Sequence, residues 1–226
     1  MTETKLPLLS GRDRITFAVT VVAALAAALV ISAPPVMADP LGDIRAELDS
    51  LEIKGRAPKT GYQRSEFGDA WTDDVNVAGG HNGCDTRNDI LRRDLIDVVG
   101  NGCVVFAGIL NDPYTGTTVD FQRGEGTSSL VQIDHMVALS DAWQKGAAQW
   151  DELRRQDFAN DPRNLQSTLG WINQQKGDGD AATWLPPDKS YRCVYVSRIV
   201  DVKSAYGLWV TQAEHDAIAR VLDQCG

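Results

Sequence analysis

From Ile15 to Ala33 the chain reads ITFAVTVVAALAAALVISA without a single charge, behind a short stretch holding Lys5, Arg12 and Arg14. A basic start, an apolar middle and then the small residues flanking Met37 in Val36-Met37-Ala38 form the pattern of an export signal cut before Asp39. This segment constrains everything after it, because a chain delivered outside the cytoplasm folds where thiols oxidise. The competing expectation is an uncleaved anchor, since the apolar run lies at the lower edge of membrane-spanning length. Only in that case does a membrane become a partner. Either way residues 39–226 are expected to form one α+β domain, secreted or held at the cell surface.

The four cysteines gain meaning from that compartment. An even number in an oxidising environment favours disulfides over free thiols, and three pairings are open. Proximity favours Cys84 with Cys103 and Cys193 with Cys225, each closing a loop worth about 3 kcal/mol in the chain-entropy account. No C-x-x-C pair is present to suggest structural zinc instead. The formal charge of −9, from 22 basic and 31 acidic residues, argues against a basic coat for nucleic acid. It does not exclude an enzyme that meets phosphate through a local patch.

Along the exported part, Leu41, Ile44, Leu48 and Leu51 recur at helical steps. Residues 54–83 are rich in Gly, Asp and Asn, with Tyr62, Phe67 and Trp71 scattered among them, and read as an irregular stretch that Cys84 would pin. A helix is expected over Thr86 to Leu95, then a β-hairpin of Cys103 to Leu110 and Thr117 to Phe121 turning at Asn111-Asp112-Pro113. Leu130 to Val137 reads as a strand. Ser140 to Trp150, Asp151 to Phe158 and Asn164 to Gln175 have helical spacing, as does Tyr191 to Tyr206. Thr211 and Glu214 resemble a capping box opening a last helix. Trp143, Trp150, Trp171 and Trp184 are expected in the core, His81 in a loop, and His215 on a solvent-facing helical position.

The strand over Leu130 to Val137 carries Asp134 and His135 near its end, where polar residues need a reason. Neighbours on a strand point to opposite sides, so a carboxylate and an imidazole there can serve different partners, a cation on one side and a water or phosphate on the other. Asn164, Asn173 and Lys176 follow in order, the last two one helical turn apart.

This ordered set, D-H, then N-L, then N-x-x-K, resembles the HNH or His-metal finger nucleases. More narrowly, DHMVALSDAW, FANDPRNLQ, NQQKGD and WLPP look like the nuclease domain shared by secreted bacterial HNH proteins and the C-terminal part of GmrSD-type restriction enzymes, and GCDTRNDILRRDL is similar to an upstream element of that group. The resemblance implies a ββα-metal core over about residues 130–187, with the remaining helices and the hairpin as decoration braced by disulfides. Carried over residue by residue, it implies that Asp134 and Asn173 hold one divalent cation, magnesium or manganese, that His135 is the general base and that Asn164 orients its imidazole. Lys176 would face the phosphate or brace the fold, and Arg87 and Arg163 would contact substrate. The activity so implied is a metal-dependent endonuclease hydrolysing phosphodiester bonds in DNA, with RNA as a second candidate, at low sequence specificity. The alternative is a disulfide-bonded cell-surface binding module that keeps the fold without cleaving.

Overall fold

The computed structural model describes residues 40–225, so the export-signal segment lies outside the described residues. Helix α1 (Pro40–Ser50) comes first, followed by a long irregular stretch to residue 85. Helix α2 (Thr86–Asp94) leads into a three-stranded antiparallel sheet, β1 (Leu95–Asn101), β2 (Val104–Asp112) and β3 (Thr117–Gln122), in that spatial order. Strand β4 (Val131–His135), helices α3 (Leu139–Gln144) and α4 (Glu152–Asn160), strand β5 (Leu165–Leu169) and helix α5 (Gly170–Lys176) follow. Helices α6 (Arg192–Tyr206) and α7 (Gln212–Leu222) complete the chain. Both disulfides are those favoured by proximity, Cys84–Cys103 and Cys193–Cys225.

Strands β4 and β5 form their own antiparallel pair, with Val131 opposite Leu169 and His135 opposite Leu165. This pair lies where two apolar clusters meet. On one side Ile133 and Leu165 join Ile90, Leu91, Leu110 and Phe121 beneath the three-stranded sheet. On the other, Leu169 and Met136 join Leu48, Tyr195, Ile199, Ile218 and Leu222 among the helices. Each such side chain removed from water contributes about 1.5–3 kcal/mol, which fixes the strand pair firmly at the centre.

Three sequence expectations give way here. The helical spacing of Leu165, Leu169 and Ile172 predicts one helix from Asn164, but residues 165–169 are strand β5 and the helix begins at Gly170. Every residue of β5 is buried on both faces, so it lacks the alternation that marks a half-exposed strand. The helix expected from Ser140 to Trp150 breaks at Gly146, whose φ of 133° lies outside helical backbone and suits glycine. The expected hairpin is present, β2 with β3, but Asn111 and Asp112 lie in β2 and it turns at residues 113–116, and β1 adds a strand through the turn at Gly102-Cys103.

A closed set of charges sits between the helices. Lys145, at the end of α3, places Nζ 2.6 Å from Asp141 Oδ1, 2.8 Å from Asp180 Oδ2 and 2.6 Å from Glu214 Oε2. Lys203 of α6 reaches Asp141 at 3.2 Å and Glu214 at 3.0 Å, and Arg56 bridges Asp141 and Asp180 from the rim. The Thr211 hydroxyl accepts from the Glu214 amide at 3.2 Å, as a capping residue should. The Glu214 carboxylate turns inward to the lysines rather than back to the cap. Burial alone would raise the Asp141 and Asp180 pKa values, but the neighbouring cations outweigh it and hold both below the ordinary carboxylate value.

Candidate active site

Strand β4 delivers Gln132, Asp134 and His135 to a cleft of about 510 Å³ that Asn173 of α5 and Arg87 of α2 also line. The imidazole of His135 is almost wholly buried. Its Nε2 lies 2.9 Å from the carbonyl oxygen of Ala159. A carbonyl only accepts, so Nε2 carries the proton and Nδ1 keeps its lone pair. Burial first, and the Arg64 guanidinium second, drive the pKa of His135 down to about 3. The ring is therefore neutral around pH 7, in the form that can take a proton.

Trp71 holds the other side of this ring. Its indole lies nearly parallel to the imidazole, at an interplanar angle of 16° with centroids 5.7 Å apart. To reach that position Trp71 adopts φ +62°, a left-handed backbone that bulky residues rarely occupy. The strain is held by the start of α2: the Thr86 amide donates to the Trp71 carbonyl at 3.0 Å, and the Thr86 hydroxyl to the Thr72 carbonyl at 2.9 Å. The Cys84–Cys103 disulfide ties the same corner to the sheet. Strained backbone costs about 1–3 kcal/mol and persists where surrounding bonds over-determine it.

Asn164 touches the backbone beyond His135. Its Oδ1 accepts from the Val137 amide at 2.8 Å, its Nδ2 donates to the Val137 carbonyl at 3.2 Å, and its own carbonyl accepts from the Met136 amide at 2.7 Å. This three-point clamp fixes the chain leaving β4. The expectation that Asn164 would hold the imidazole itself is corrected to that extent: the ring nitrogen is bonded to Ala159, and Asn164 acts on the segment that follows the histidine.

Asp134 lies beneath the cleft. Its Oδ1 accepts from Lys176 Nζ at 2.9 Å and its Oδ2 from the Tyr114 hydroxyl at 2.7 Å. Lys176 also donates to the His135 carbonyl at 2.7 Å. It is buried and braces the strand end rather than facing solvent. Burial pushes the Asp134 pKa up, against the pull of the Lys176 ammonium. On α5, the Asn173 amide nitrogen donates to Gln132 Oε1 at 3.0 Å, which leaves its carbonyl oxygen to offer.

The fit of a divalent cation to these residues turns on spare oxygen lone pairs. The two Asp134 oxygens accept from Lys176, Tyr114 and the His135 backbone and so keep one lone pair to spare, and the Asn173 carbonyl adds a neutral oxygen from a residue lining the same cleft. No cluster of three or more His, Cys, Asp or Glu side chains able to hold a metal occurs among the described residues. A cation here would have two protein oxygens and fill the rest of its shell with water, as small hard cations commonly do.

Arg87 joins the site: it lines the cleft, half-buried, with NH2 donating to the Ser128 and Val131 carbonyls at 3.1 and 3.0 Å. Arg163 does not. Its guanidinium is paired with Asp161, NH2 to Oδ2 at 2.6 Å, and packs over Tyr206, away from the cleft. Trp171 also departs from expectation. It is 57% exposed, because the buried side of α5 is formed by Ile172 and Lys176, four residues apart. Trp143 is buried, and Trp150 and Trp184 pack against the core, as expected.

Three contributors escaped the sequence reading: Trp71, the exposed Arg64 on the cleft rim, and Tyr114 behind Asp134. Trp71 and Arg64 lie in the Gly- and Asp-rich stretch before α2, and an aromatic anchored in such a loop was the available signal.

Residues 85–221 match the family model described as the C-terminal domain of GmrSD restriction endonucleases. A protein of Arthroderma benhamiae, described as an uncharacterized secreted protein, is 37% identical over 214 residues, covering 91% of this chain and 98% of that relative. No solved structure matches.

Proposed function

This chain belongs to the HNH-like family of GmrSD restriction endonuclease C-terminal domains, and from that premise we propose that it is an exported, divalent-cation-dependent hydrolase of phosphodiester bonds in nucleic acid. The observation that carries the reading is the His135 imidazole, neutral, with Nε2 committed to Ala159 and the Nδ1 lone pair free, in a residue that lines the cleft together with Asp134, Asn173 and Arg87.

In this reading His135 Nδ1 takes a proton from water as its oxygen attacks phosphorus. The Ala159 carbonyl steadies the positive charge that the ring acquires. Such a base contributes about 10²–10⁴-fold to rate. Asn164 keeps the base in register through the Val137 backbone, and Trp71 keeps the ring from tilting. Arg87 and Arg64 supply positive charge to the phosphate oxygens, and the leaving 3′ oxygen takes its proton from solvent, giving 5′-phosphate and 3′-hydroxyl ends. A cation held by Asp134 and Asn173 would add Lewis-acid neutralisation of the phosphate, worth several kcal/mol; magnesium and manganese suit an all-oxygen pair of ligands.

Low sequence specificity follows from contacts that go to phosphate and sugar rather than to base edges in a groove. DNA is the first substrate and RNA the second. The two disulfides and the secreted relative support a site of action outside the cytoplasm. Incubating the mature protein with plasmid and with RNA, in magnesium or manganese, with and without chelator, tests the reading. Chelator-sensitive cutting is expected. No cutting of either polymer under any of these conditions would leave the non-catalytic binding module in its place.

A further inference from the structure

Behind the stacked rings of His135 and Trp71 lies a second cavity, of about 240 Å³, walled by Phe67, Leu139 and Ala159. His135, Trp71 and Arg64 line this cavity and the catalytic cleft alike, so an occupant would sit directly beside a phosphate in the cleft. One wall is Asn160, 1% exposed. Its Nδ2 donates to the Gln156 carbonyl at 3.0 Å, while its Oδ1 has no hydrogen-bond partner among the described residues. That oxygen has almost no accessible surface, so Asn160 shapes the wall and offers no acceptor to an occupant.

We propose that this cavity is a subsite for one unstacked nucleobase of the substrate. The proposal rests on the phosphodiesterase reading and adds a requirement to it. A ligand that meets this pocket must be flat, apolar on its faces and attached to an anion at the Arg64 rim. A nucleotide's base has those three properties together. Bases inside a duplex are stacked and paired, so extruding one costs a few kcal/mol, and single strands or frayed ends avoid that cost. The subsite therefore makes unpaired nucleic acid the better substrate, and it does so without reading sequence, because every base has a flat face.

The test compares two ligands that share a phosphate. The mature protein, in magnesium, is titrated calorimetrically with deoxyadenosine 5′-phosphate and, separately, with deoxyribose 5-phosphate, which lacks the base. The nucleotide is expected to bind about tenfold more tightly, in line with a single base–aromatic contact. In Ala70→Phe, which fills the cavity from an exposed position, that advantage should fall to twofold or less while sugar-phosphate binding is retained, and Trp71→Ala should lose the advantage as well. If Trp71→Ala fails to fold, Ala70→Phe alone decides. Equal affinities in the unaltered protein, or an advantage that survives Ala70→Phe, overturn the subsite. Plasmid cutting without base preference refutes the subsite and leaves the hydrolase; base preference without any cutting does the opposite.

Discussion

Lys176 beneath the cleft and Lys145 between α3 and α7 are both sealed from solvent, yet their surroundings differ in what they leave over. Lys145 and Lys203, with Arg56 at the rim, face Asp141, Asp180 and Glu214, so three cations meet three carboxylates and the charges cancel. None of those carboxylates or lysines lines the cleft. Around Lys176 the pairing is thinner: one backbone carbonyl and one carboxylate, Asp134, which also accepts from a tyrosine hydroxyl and lines the cleft next to the neutral His135. Burying charge is thus not itself a mark of function. The closed cluster holds helices together, whereas the open one retains lone pairs beside a cleft, where a reaction can use them.

The comparison breaks most visibly at Lys145. Replacing it with methionine leaves buried carboxylates short of a cation, which typically costs about 3–5 kcal/mol. Urea denaturation should show that loss, while cutting per folded molecule stays within twofold of the unaltered protein, because the cluster lies off the cleft.

Acid sharpens the same contrast. Asp141 and Asp180 have folded pKa values below the unfolded value of 3.8, so they stabilise the fold above that pH and lose the contribution as pH falls through and below it. The urea midpoint should hold as the pH is lowered to about 4 and then drop. In Lys145→Met the drop should begin at higher pH, since the depression of both carboxylates is weakened. A midpoint flat from pH 5 to 2 would contradict the cluster's role.

A smaller effect is expected at Asn164→Ala, which removes the clamp on Val137 and leaves buried backbone groups unpaired, at about 1–3 kcal/mol. Its distinguishing feature is a fall in kcat at saturating substrate beyond the folded fraction, because the chain leaving His135 loosens. Smaller again is Thr211→Ala. Loss of the α7 cap costs about 1 kcal/mol and should leave cutting unchanged.

The neighbourhood of Asp134, His135, Asn173 and Lys176 was legible in the sequence because the residues concerned are close along it: Asp134 and His135 are adjacent, and Asn173 and Lys176 share one helix. Contacts between distant segments were not. Lys145 finds Glu214 across 69 positions of the chain, and nothing in the local pattern around either residue signals a buried pair. Trp71 reaches His135 only because its backbone adopts an unusual φ that no residue-type preference would suggest. Strand β5 was hidden for a different reason, since a strand buried on both faces imitates the apolar spacing of a helix. The turn at Gly102-Cys103, by contrast, opens on a glycine, a readable hairpin signal that would have revealed β1.

The most direct test is the rate of phosphodiester cleavage by His135→Ala, corrected for folded fraction and measured beside the unaltered protein in the same magnesium buffer. Loss of the neutral imidazole's free lone pair should lower that rate by about 10²–10⁴-fold, the range for a positioned general base. A rate within a few-fold of the original, from protein shown to be folded, would mean that the chemistry is done elsewhere.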